Sequence, residues 1–350
     1  MNILSIETSC DETAISVLEC TGDTSGATFT VLGDALYSQA HLHAEYGGVF
    51  PTLAKREHIK NLPTLLEQVR KAADGVELIA VTQGPGLEPA LWTGIEFAKK
   101  LGQEWGVPVY GTDHMEGHIV SGMVTGGPDT YALGNIEFPV LGLLISGGHT
   151  ELVLMKKWFE YELIGKTKDD AVGEAFDKVA RMLGLEYPGG PKIEALHKKA
   201  TERNATHDIV FPRPLIHEDS CDFSFSGLKT AVLYKLKKME QLTEEDKEHV
   251  AQAFQDAARD VIVAKTKKAL EETGARTLAV GGGVSASRDI RRGLEELIAA
   301  EFSDVHLAYP AGKLHLDNSI MIGMAAYLRH SAGLPGNELK AEGAQRLASR

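Results

Sequence analysis

The sequence predicts a duplicated α/β protein built as two lobes with a cleft between them. An alternating strand, a polar turn and a second strand occupy residues 2–18, and residues 139–155 repeat the pattern with two glycines in the turn. Alternating helices and strands follow each predicted hairpin, as expected for an α/β fold. The chain has 350 residues, of which 43% are hydrophobic, and this is enough for about two domains.

The remaining elements follow from the spacing of apolar residues. Helices are predicted over residues 58–74, 89–106, 175–186, 226–240, 244–274, 288–301 and 318–330. Strands are predicted over residues 77–86, 108–114, 277–283 and 304–310. We assign residues 1–112 and 313–335 to lobe one, residues 113–312 to lobe two, and residues 336–350 to a loose polar tail. Nucleotide-handling proteins of the actin, hexokinase and heat-shock type share this architecture, an analogy at the level of fold alone.

Composition excludes several classes of protein. No stretch approaches the ~18 consecutive apolar residues of a membrane span, so no membrane partner is expected. No signal segment follows Met1, and Cys10, Cys20 and Cys221 show no pairing pattern, so we expect a cytoplasmic protein. The net charge of −13 argues against binding nucleic acid through the overall field. Basic groups near residues 229–238 and 288–292 are local candidates, although solvated helix faces explain them more simply.

Glycine-rich turns suggest a nucleotide site. Residues 146–150 read Ser-Gly-Gly-His-Thr, and residues 281–287 place three glycines between a strand and a helix. Backbone N–H groups in such turns can approach phosphate closely. Neither segment is a Walker or G-x-G-x-x-G motif, and a plain hairpin turn remains an alternative for the first. Two further tight turns, at residues 84–86 and 188–191, strengthen the case for a nucleotide.

Asp11 and Glu12 lie in the turn of the first predicted hairpin. Acidic residues are ordinary turn formers. A carboxylate that faces a bound phosphate could also hold a cation or a water molecule. Both interpretations stay open on composition alone.

The segment HMEGH, residues 114–118, resembles a zinc-protease helix at first sight. Histidines at i and i+4 share one face of a helix and could bind a metal together. Glu116, however, lies about 200° around the helix from His114, so the H-E-x-x-H geometry of a protease is absent. A third ligand is needed. Asp317, which precedes an apolar helix, fits that role, but it also suits a helix N-cap.

Together these motifs resemble those of one family. The segments IETSCDETA, GGVFPTLAKREH, GPGL, HMEGH, LLISGGHTEL, GEAFDKVARMLGLEYPGGP, FSFSGLKTAV, GGGVSAS and DN occur in the order found in the TsaD family of tRNA threonylcarbamoyladenosine synthase. The resemblance covers nearly the whole chain. It implies a duplicated actin-like ATPase (ASKHA) fold, and transfer of a threonylcarbamoyl group to N6 of the adenosine following the anticodon, in tRNAs that read codons starting with A. The other expected partners are a TsaB-like paralogue and a TsaE-like ATPase.

The resemblance also implies roles for individual residues. Carried over by position, His114, His118 and Asp317 are the metal ligands, with iron expected and zinc as the alternative. Asp11 and Glu12 are catalytic. An adenine nucleotide (threonylcarbamoyl-AMP, ATP or AMP) is the expected ligand. The implied substrate-binding residues are Leu144, Ile145, Ser146, Gly147, Gly148, Asp177, Gly190, Glu194 and Ser287.

One departure and three alternatives accompany this interpretation. Ser287 replaces an asparagine that most members use to contact substrate, and its shorter side chain offers one hydroxyl in place of an amide. A small-molecule kinase or ATPase of the same superfamily would explain the glycine loops but not the histidine pair. An inactive scaffolding paralogue would typically lack that pair. A metalloprotease is disfavoured by the position of Glu116.

Overall fold

The computed structural model describes residues 1–344 and residue 347. The strands in this part of the chain are β1 (Asn2–Glu7), β2 (Glu12–Thr21), β3 (Thr28–Ser38), β4 (Leu78–Gly84), β5 (Val109–Asp113), β6 (Val124–Gly126), β7 (Thr130–Leu133), β8 (Val140–Ile145), β9 (Thr150–Lys157), β10 (Glu160–Lys166), β11 (Thr277–Gly281) and β12 (His306–Ala308). The helices are α1 (Ala40–His43), α2 (Pro51–Val69), α3 (Glu88–Trp105), α4 (His114–Gly122), α5 (Val172–Met182), α6 (Gly189–Glu202), α7 (Ser226–Leu236), α8 (Glu244–Thr273), α9 (Arg288–Glu301) and α10 (Ser319–Ser331).

The chain forms two compact units. Unit 1 contains Met1–Ile136, Lys157–Tyr161 and Ala308–Arg350, and unit 2 contains Glu137–Lys156 and Glu162–Leu307. Unit 1 thus includes α4, β6 and β7, which the predicted boundary at residue 113 assigned to lobe two. The predicted division into lobes stays a prediction.

Unit 1 is built on a seven-stranded sheet in the order β5-β4-β1-β2-β3-β7-β6. β1, β2 and β3 form an antiparallel meander, and β4 and β5 extend it as parallel strands from the other side of β1. β1 and β4 are almost entirely buried, which is why both read as apolar runs in the sequence. Side chains of β1, β2, α2 and α3 fill the core on one side of this sheet.

Unit 2 is built on a five-stranded sheet in the order β10-β9-β8-β11-β12. β8 pairs with β9 antiparallel and with β11 parallel. Five strands of the unit 1 sheet follow the same order, β3-β2-β1-β4-β5. In each sheet three consecutive strands are adjacent, and two later strands are added on the far side of the first. The α/β class is therefore confirmed, and the two sheets repeat one arrangement of strands.

Several elements differ from prediction. Strand β3 and helix α6 were not predicted, and α2 begins at Pro51, seven residues before the predicted start. Proline at the first helical position suits a helix because its missing N–H would be unpaired there. The Gly189-Gly190-Pro191 start of α6 reads locally as a turn, but Asp177 of α5 accepts a hydrogen bond from Gly189 N at 2.7 Å. A contact from another helix thus satisfies this helix terminus.

Part of the predicted polar tail is packed. Asn337 forms a bridge with Gly111 of β5, and Leu339 and Ala341 join the core of unit 1. Residues 345, 346 and 348–350 of the predicted tail lie outside the described residues. None of the described helices combines the length and the apolar composition needed to cross a membrane.

Replacing Thr243 by alanine tests the start of α8. The Thr243 side chain accepts a hydrogen bond from Asp246 N at 3.1 Å, and the Asp246 carboxylate accepts one from Thr243 N at 3.0 Å. Loss of this capping box is expected to lower the free energy of unfolding in urea by about 1 kcal/mol. Thr201→Ala is the matched control, because the exposed Thr201 hydroxyl only bonds back to the His197 carbonyl within α6. Equal losses in both variants would contradict the assignment.

Candidate functional site

The three predicted metal ligands come together in unit 1. His114 Nε2 lies 3.4 Å from Asp317 Oδ1, and His118 Nε2 lies 3.1 Å from the same oxygen. One ligand atom from each residue lies within 4.8 Å of the other two. Two imidazole nitrogens and one carboxylate oxygen form a donor set suited to a divalent transition metal, and they leave positions open for another ligand.

Helix α4 presents both histidines because its start is fixed by Asp113. The Asp113 side chain accepts hydrogen bonds from Met115 N at 2.8 Å and Glu116 N at 3.2 Å, which makes it the N-cap. The four-residue spacing then places both rings on one face, with their centroids 4.6 Å apart. Every residue of the helix is buried.

Asp317 is free to act as a ligand because its neighbour caps the next helix. The Asn318 side chain accepts a hydrogen bond from Met321 N at 2.9 Å at the start of α10. The N-cap role that the sequence allowed for Asp317 is therefore taken by Asn318. The Asp317 carboxylate turns to the two imidazoles instead.

Glu7 orients His114 and was not predicted as part of the site. Its carboxylate is fully buried at the end of β1 and accepts hydrogen bonds from His114 Nδ1 at 2.9 Å and from Thr82 Oγ1 at 2.6 Å. Because Nδ1 donates to Glu7, Nε2 is the ring nitrogen left to bind a metal, as in metal sites with a carboxylate behind a histidine. His118 Nδ1 has no such partner among the described residues. The sequence feature that could have identified Glu7 is an acidic residue at the end of a strand that reads as buried.

The cluster has an electrostatic preference for a cation. Burial alone would lower the pKa of His114, but the charges of Asp317 and Glu7 outweigh it and raise this pKa well above its usual range. Burial would likewise raise the pKa of Asp317, yet the two histidines hold it well below its usual range. One buried carboxylate, Glu7, and one partly exposed carboxylate, Asp317, face the imidazoles, so the pocket favours positive charge.

Asp11 and Glu12 lie in the same unit, Asp11 in the loop after β1 and Glu12 at the first position of β2. Burial raises the pKa of both carboxyl groups, and a hydrogen bond between them lowers that of Asp11 and raises that of Glu12. Asp11 is buried, and the Glu12 carboxylate also accepts a hydrogen bond from Ser38 at 3.2 Å. The two carboxyl groups therefore titrate as a coupled pair, and burial disfavours ionisation of both at once.

A buried histidine that the sequence did not single out holds this loop. His58 of α2 lies 3.0 Å from the Cys10 carbonyl through Nε2 and 2.8 Å from Thr13 Oγ1 through Nδ1. A carbonyl can only accept, so Nε2 donates and Nδ1 accepts. Burial lowers the pKa of His58 to about 4, so the ring is neutral and this tautomer is retained at pH 7.

The predicted glycine turns of unit 2 end neighbouring strands. β8 and β11 are parallel with Leu144 opposite Gly281, so residues 144–148 and 281–283 leave the same edge of the sheet. Gly282 has a φ of +86°, and a Cβ there would lie 2.5 Å from the Ile145 carbonyl oxygen. Beside Gly147 and Gly148 the space is open. Ser146 Oγ accepts hydrogen bonds from Gly148 N and His149 N, so the Ser146 hydroxyl orders the turn.

The other predicted substrate contacts lie on α5, α6 and the turn before α9. Asp177 binds Gly189 N, as described above, and Glu194 accepts a hydrogen bond from Arg288 N at 2.7 Å. Both carboxylates thus satisfy helix starts. Gly190 has open space around it. Ser287 is 9% exposed, and its hydroxyl has no hydrogen-bond partner among the described residues.

A second cluster, His197, Asp256 and Asp289 in unit 2, is held by arginine. Arg259 Nη1 lies 2.8 Å from Asp256 and 3.0 Å from Asp289. A guanidinium already neutralises both carboxylates, so an ion-pair network explains this group. Ion pairs also occupy part of the predicted basic patches, since Lys229 binds Asp170 at 2.7 Å.

Comparison with known structures supports the predicted fold. HypF from T. kodakarensis has a TM-score of 0.62 at 14% identity, over 94% of this chain and 48% of that chain. A full-length HypF in the phosphate- and nucleotide-bound form has a TM-score of 0.56 at 15% identity, over 96% and 47% of the two chains. The chain spans about half the length of these proteins, and the likeness shows the fold alone.

Comparison of sequences shows the family. Residues 30–324 match the family model described as TsaD, tRNA N6-adenosine threonylcarbamoyltransferase. The protein of that name from Burkholderia ambifaria strain MC40-6 is 43% identical over 339 residues, which cover 94% of this chain and 92% of that one. The proteins from Burkholderia lata and Burkholderia cenocepacia strain J2315 match with the same identity and coverage. The chain therefore belongs to the TsaD family, the tRNA N6-adenosine threonylcarbamoyltransferases.

Proposed function

We propose that this protein transfers the threonylcarbamoyl group of threonylcarbamoyl-AMP to N6 of the adenosine following the anticodon, in tRNAs that read codons starting with A. The adenosine amine forms a bond to the carbamoyl carbon, the bond from that carbon to the AMP phosphate oxygen breaks, and AMP leaves with the electron pair. The convergence of His114, His118 and Asp317 in a member of this family is the observation that carries the proposal.

The family implies a metal and an adenine nucleotide, and the three converging side chains would hold the metal. Iron is the proposed native metal, with zinc as the alternative, since both accept imidazole and carboxylate ligands. When bound, the metal would supply Lewis acidity toward phosphate or carbonyl oxygens. Glu7 supports this centre from behind by fixing the tautomer of His114.

The remaining steps fall to side chains and loops of the chain itself. Asp11, a buried carboxyl group, is the candidate acceptor of the N6 proton, with departing AMP or a water molecule as the alternatives. Glu12 tunes Asp11 by sharing a proton with it. Leu144, Ile145, Ser146, Gly147 and Gly148 would bind the nucleotide, because the open glycine turn lets a ligand approach the backbone. Asp177, Gly190, Glu194 and Ser287 complete the proposed substrate site.

In this proposal tRNA binding depends on positively charged surfaces beyond the overall charge of the chain. A net charge of −13 repels a polyanion, so basic surfaces must come from partners or from local patches. A TsaB-like paralogue and a TsaE-like ATPase are the proposed partners. The reaction on tRNA would take place in the cytoplasm.

The kinase alternative rests on the likeness in fold alone. Glycine turns at the edge of a sheet suit any nucleotide, and they do not distinguish phosphoryl transfer from acyl transfer. The three converging metal-binding side chains favour the transferase. A scaffolding paralogue would have no use for them.

A transfer assay tests the function and the metal centre together. The purified protein is supplied with threonylcarbamoyl-AMP carrying labelled threonine, with unmodified tRNA and the two partners. Label is expected on the adenosine following the anticodon. His118→Ala should lower the rate by more than about 100-fold, since loss of an outer partner of a ligand already costs about 10–100-fold.

His306→Ala, which removes an exposed histidine of unit 2, is the matched control and should keep the wild-type rate. Absence of label with the wild-type protein and competent partners would refute the transferase. ATP-dependent phosphorylation of a small molecule in its place would support the kinase.

Ser287→Ala tests the altered family position. The hydroxyl has no partner among the described residues, so its removal should leave the free energy of unfolding within about 0.5 kcal/mol of wild type. If the hydroxyl binds the adenylate, KM for threonylcarbamoyl-AMP should rise about two- to tenfold, the value of one hydrogen bond. An unchanged KM would remove Ser287 from the substrate site.

A further inference from the structure

The glutamate of HMEGH has no role in the proposed chemistry, yet it is completely buried. Glu116 Oε1 accepts a hydrogen bond from the Tyr161 hydroxyl at 2.6 Å, and Oε2 accepts one from Arg329 Nε at 2.6 Å. Each carboxylate oxygen therefore has a partner. A carboxylate so enclosed is not available to substrate as a base or to a metal as a ligand.

The partners of Glu116 connect the two helices that deliver the metal ligands. Arg329 lies on α10, whose first turn follows Asp317, and Glu116 lies on α4 between His114 and His118. The two helices also meet at Gly117, where a Cβ would lie 3.0 Å from Met321 Cγ. The contacts at Met321 and Arg329 are eight positions apart, or about 12 Å along α10, and Asp317 adds a third contact just before the helix. Contacts spread over this length resist both sliding and rotation of α4 against α10.

Other groups hold the Glu116 carboxylate and the Arg329 guanidinium in place. Tyr161 belongs to the segment Lys157–Tyr161 of unit 1, and Phe159 of that segment places its ring centroid 5.1 Å from the Arg329 guanidinium. Burial and the charge of Glu116 raise the pKa of Tyr161, so its hydroxyl stays protonated and donates. A fully buried carboxylate such as Glu116 is strongly destabilised when it loses its partner. The arrangement therefore favours one register of α4 against α10.

We propose that Glu116 is a positioning residue, which through Arg329 and Tyr161 sets the register of α4 against α10 and thereby the geometry of His114, His118 and Asp317. This inference rests on the metal site of the proposed function. Metal binding then requires more than the three ligands. It also requires the Glu116–Arg329 ion pair on the side of α4 that faces away from them. Its effect appears in the folded protein as metal affinity and coordination geometry.

Two tyrosine substitutions test this with matched chemistry. Tyr161→Phe removes the hydrogen bond to Glu116, and Tyr327→Phe removes a hydrogen bond of 2.7 Å from α10 to the Gly22 carbonyl, which follows β2 and does not belong to α4. Glu116→Gln is the stronger third variant. Co²⁺ is the probe, because its visible absorption reports coordination geometry while titration against a chelator gives Kd. Urea unfolding of the metal-free variants measures stability separately.

The expected result is a Kd for Co²⁺ raised about tenfold or more in Glu116→Gln, the usual cost of losing an outer partner. Tyr161→Phe should raise it several-fold with an altered absorption band, and Tyr327→Phe should match wild type. Wild-type Kd and spectrum in Tyr161→Phe and Glu116→Gln, with only their stability lowered, would overturn the inference while leaving the metal centre intact. A wild-type protein that binds no Co²⁺ would overturn the proposed metal centre and this inference with it.

Discussion

The close approach of α4 to α10 is the constraint on which the candidate site depends. Glycine at position 117 allows it, because any larger side chain would press on Met321. At this distance His114 and His118 of α4 both reach the Asp317 carboxylate, which lies 199 positions after His118 in the chain. The caps at Asp113 and Asn318 then determine where each helix starts, and so which residues face each other.

Two buried charges restrict which side chains can surround the candidate site. Glu7 and Glu116 are both inaccessible to solvent, and each is stable only because specific donors surround it. Glu7 is matched by His114 and Thr82, and Glu116 by Arg329 and Tyr161. The two carboxylates act on opposite sides of α4, one on a ligand directly and the other on the helix that carries it. Unit 1 therefore positions the candidate ligands through two carboxylates that are inaccessible to solvent.

Duplication of the strand order explains where the other predicted loops occur. In both units the first strand of the meander pairs with a later parallel strand, so the turns that follow these two strands lie at one edge of the sheet. In unit 1 the loop after β1 carries Asp11 and leads into Glu12 at the start of β2. In unit 2 the loop after β8 carries the open glycine turn. One topology thus presents carboxylates in one unit and a glycine turn in the other.

The sequence by itself determined the α/β class, most long helices and the shared face of His114 and His118, because periodicity and caps are local properties of the backbone. It left Asp317 undecided between ligand and N-cap, missed Glu7 and His58, and excluded Glu116 from protease chemistry without revealing its partners. Only the tertiary structure decided where these side chains lie, with Asn318 capping α10 and Asp317 beside both histidines. The physical reason is distance along the chain: a side chain whose partners lie 107 or 213 positions away acquires its role from packing, which local patterns do not encode.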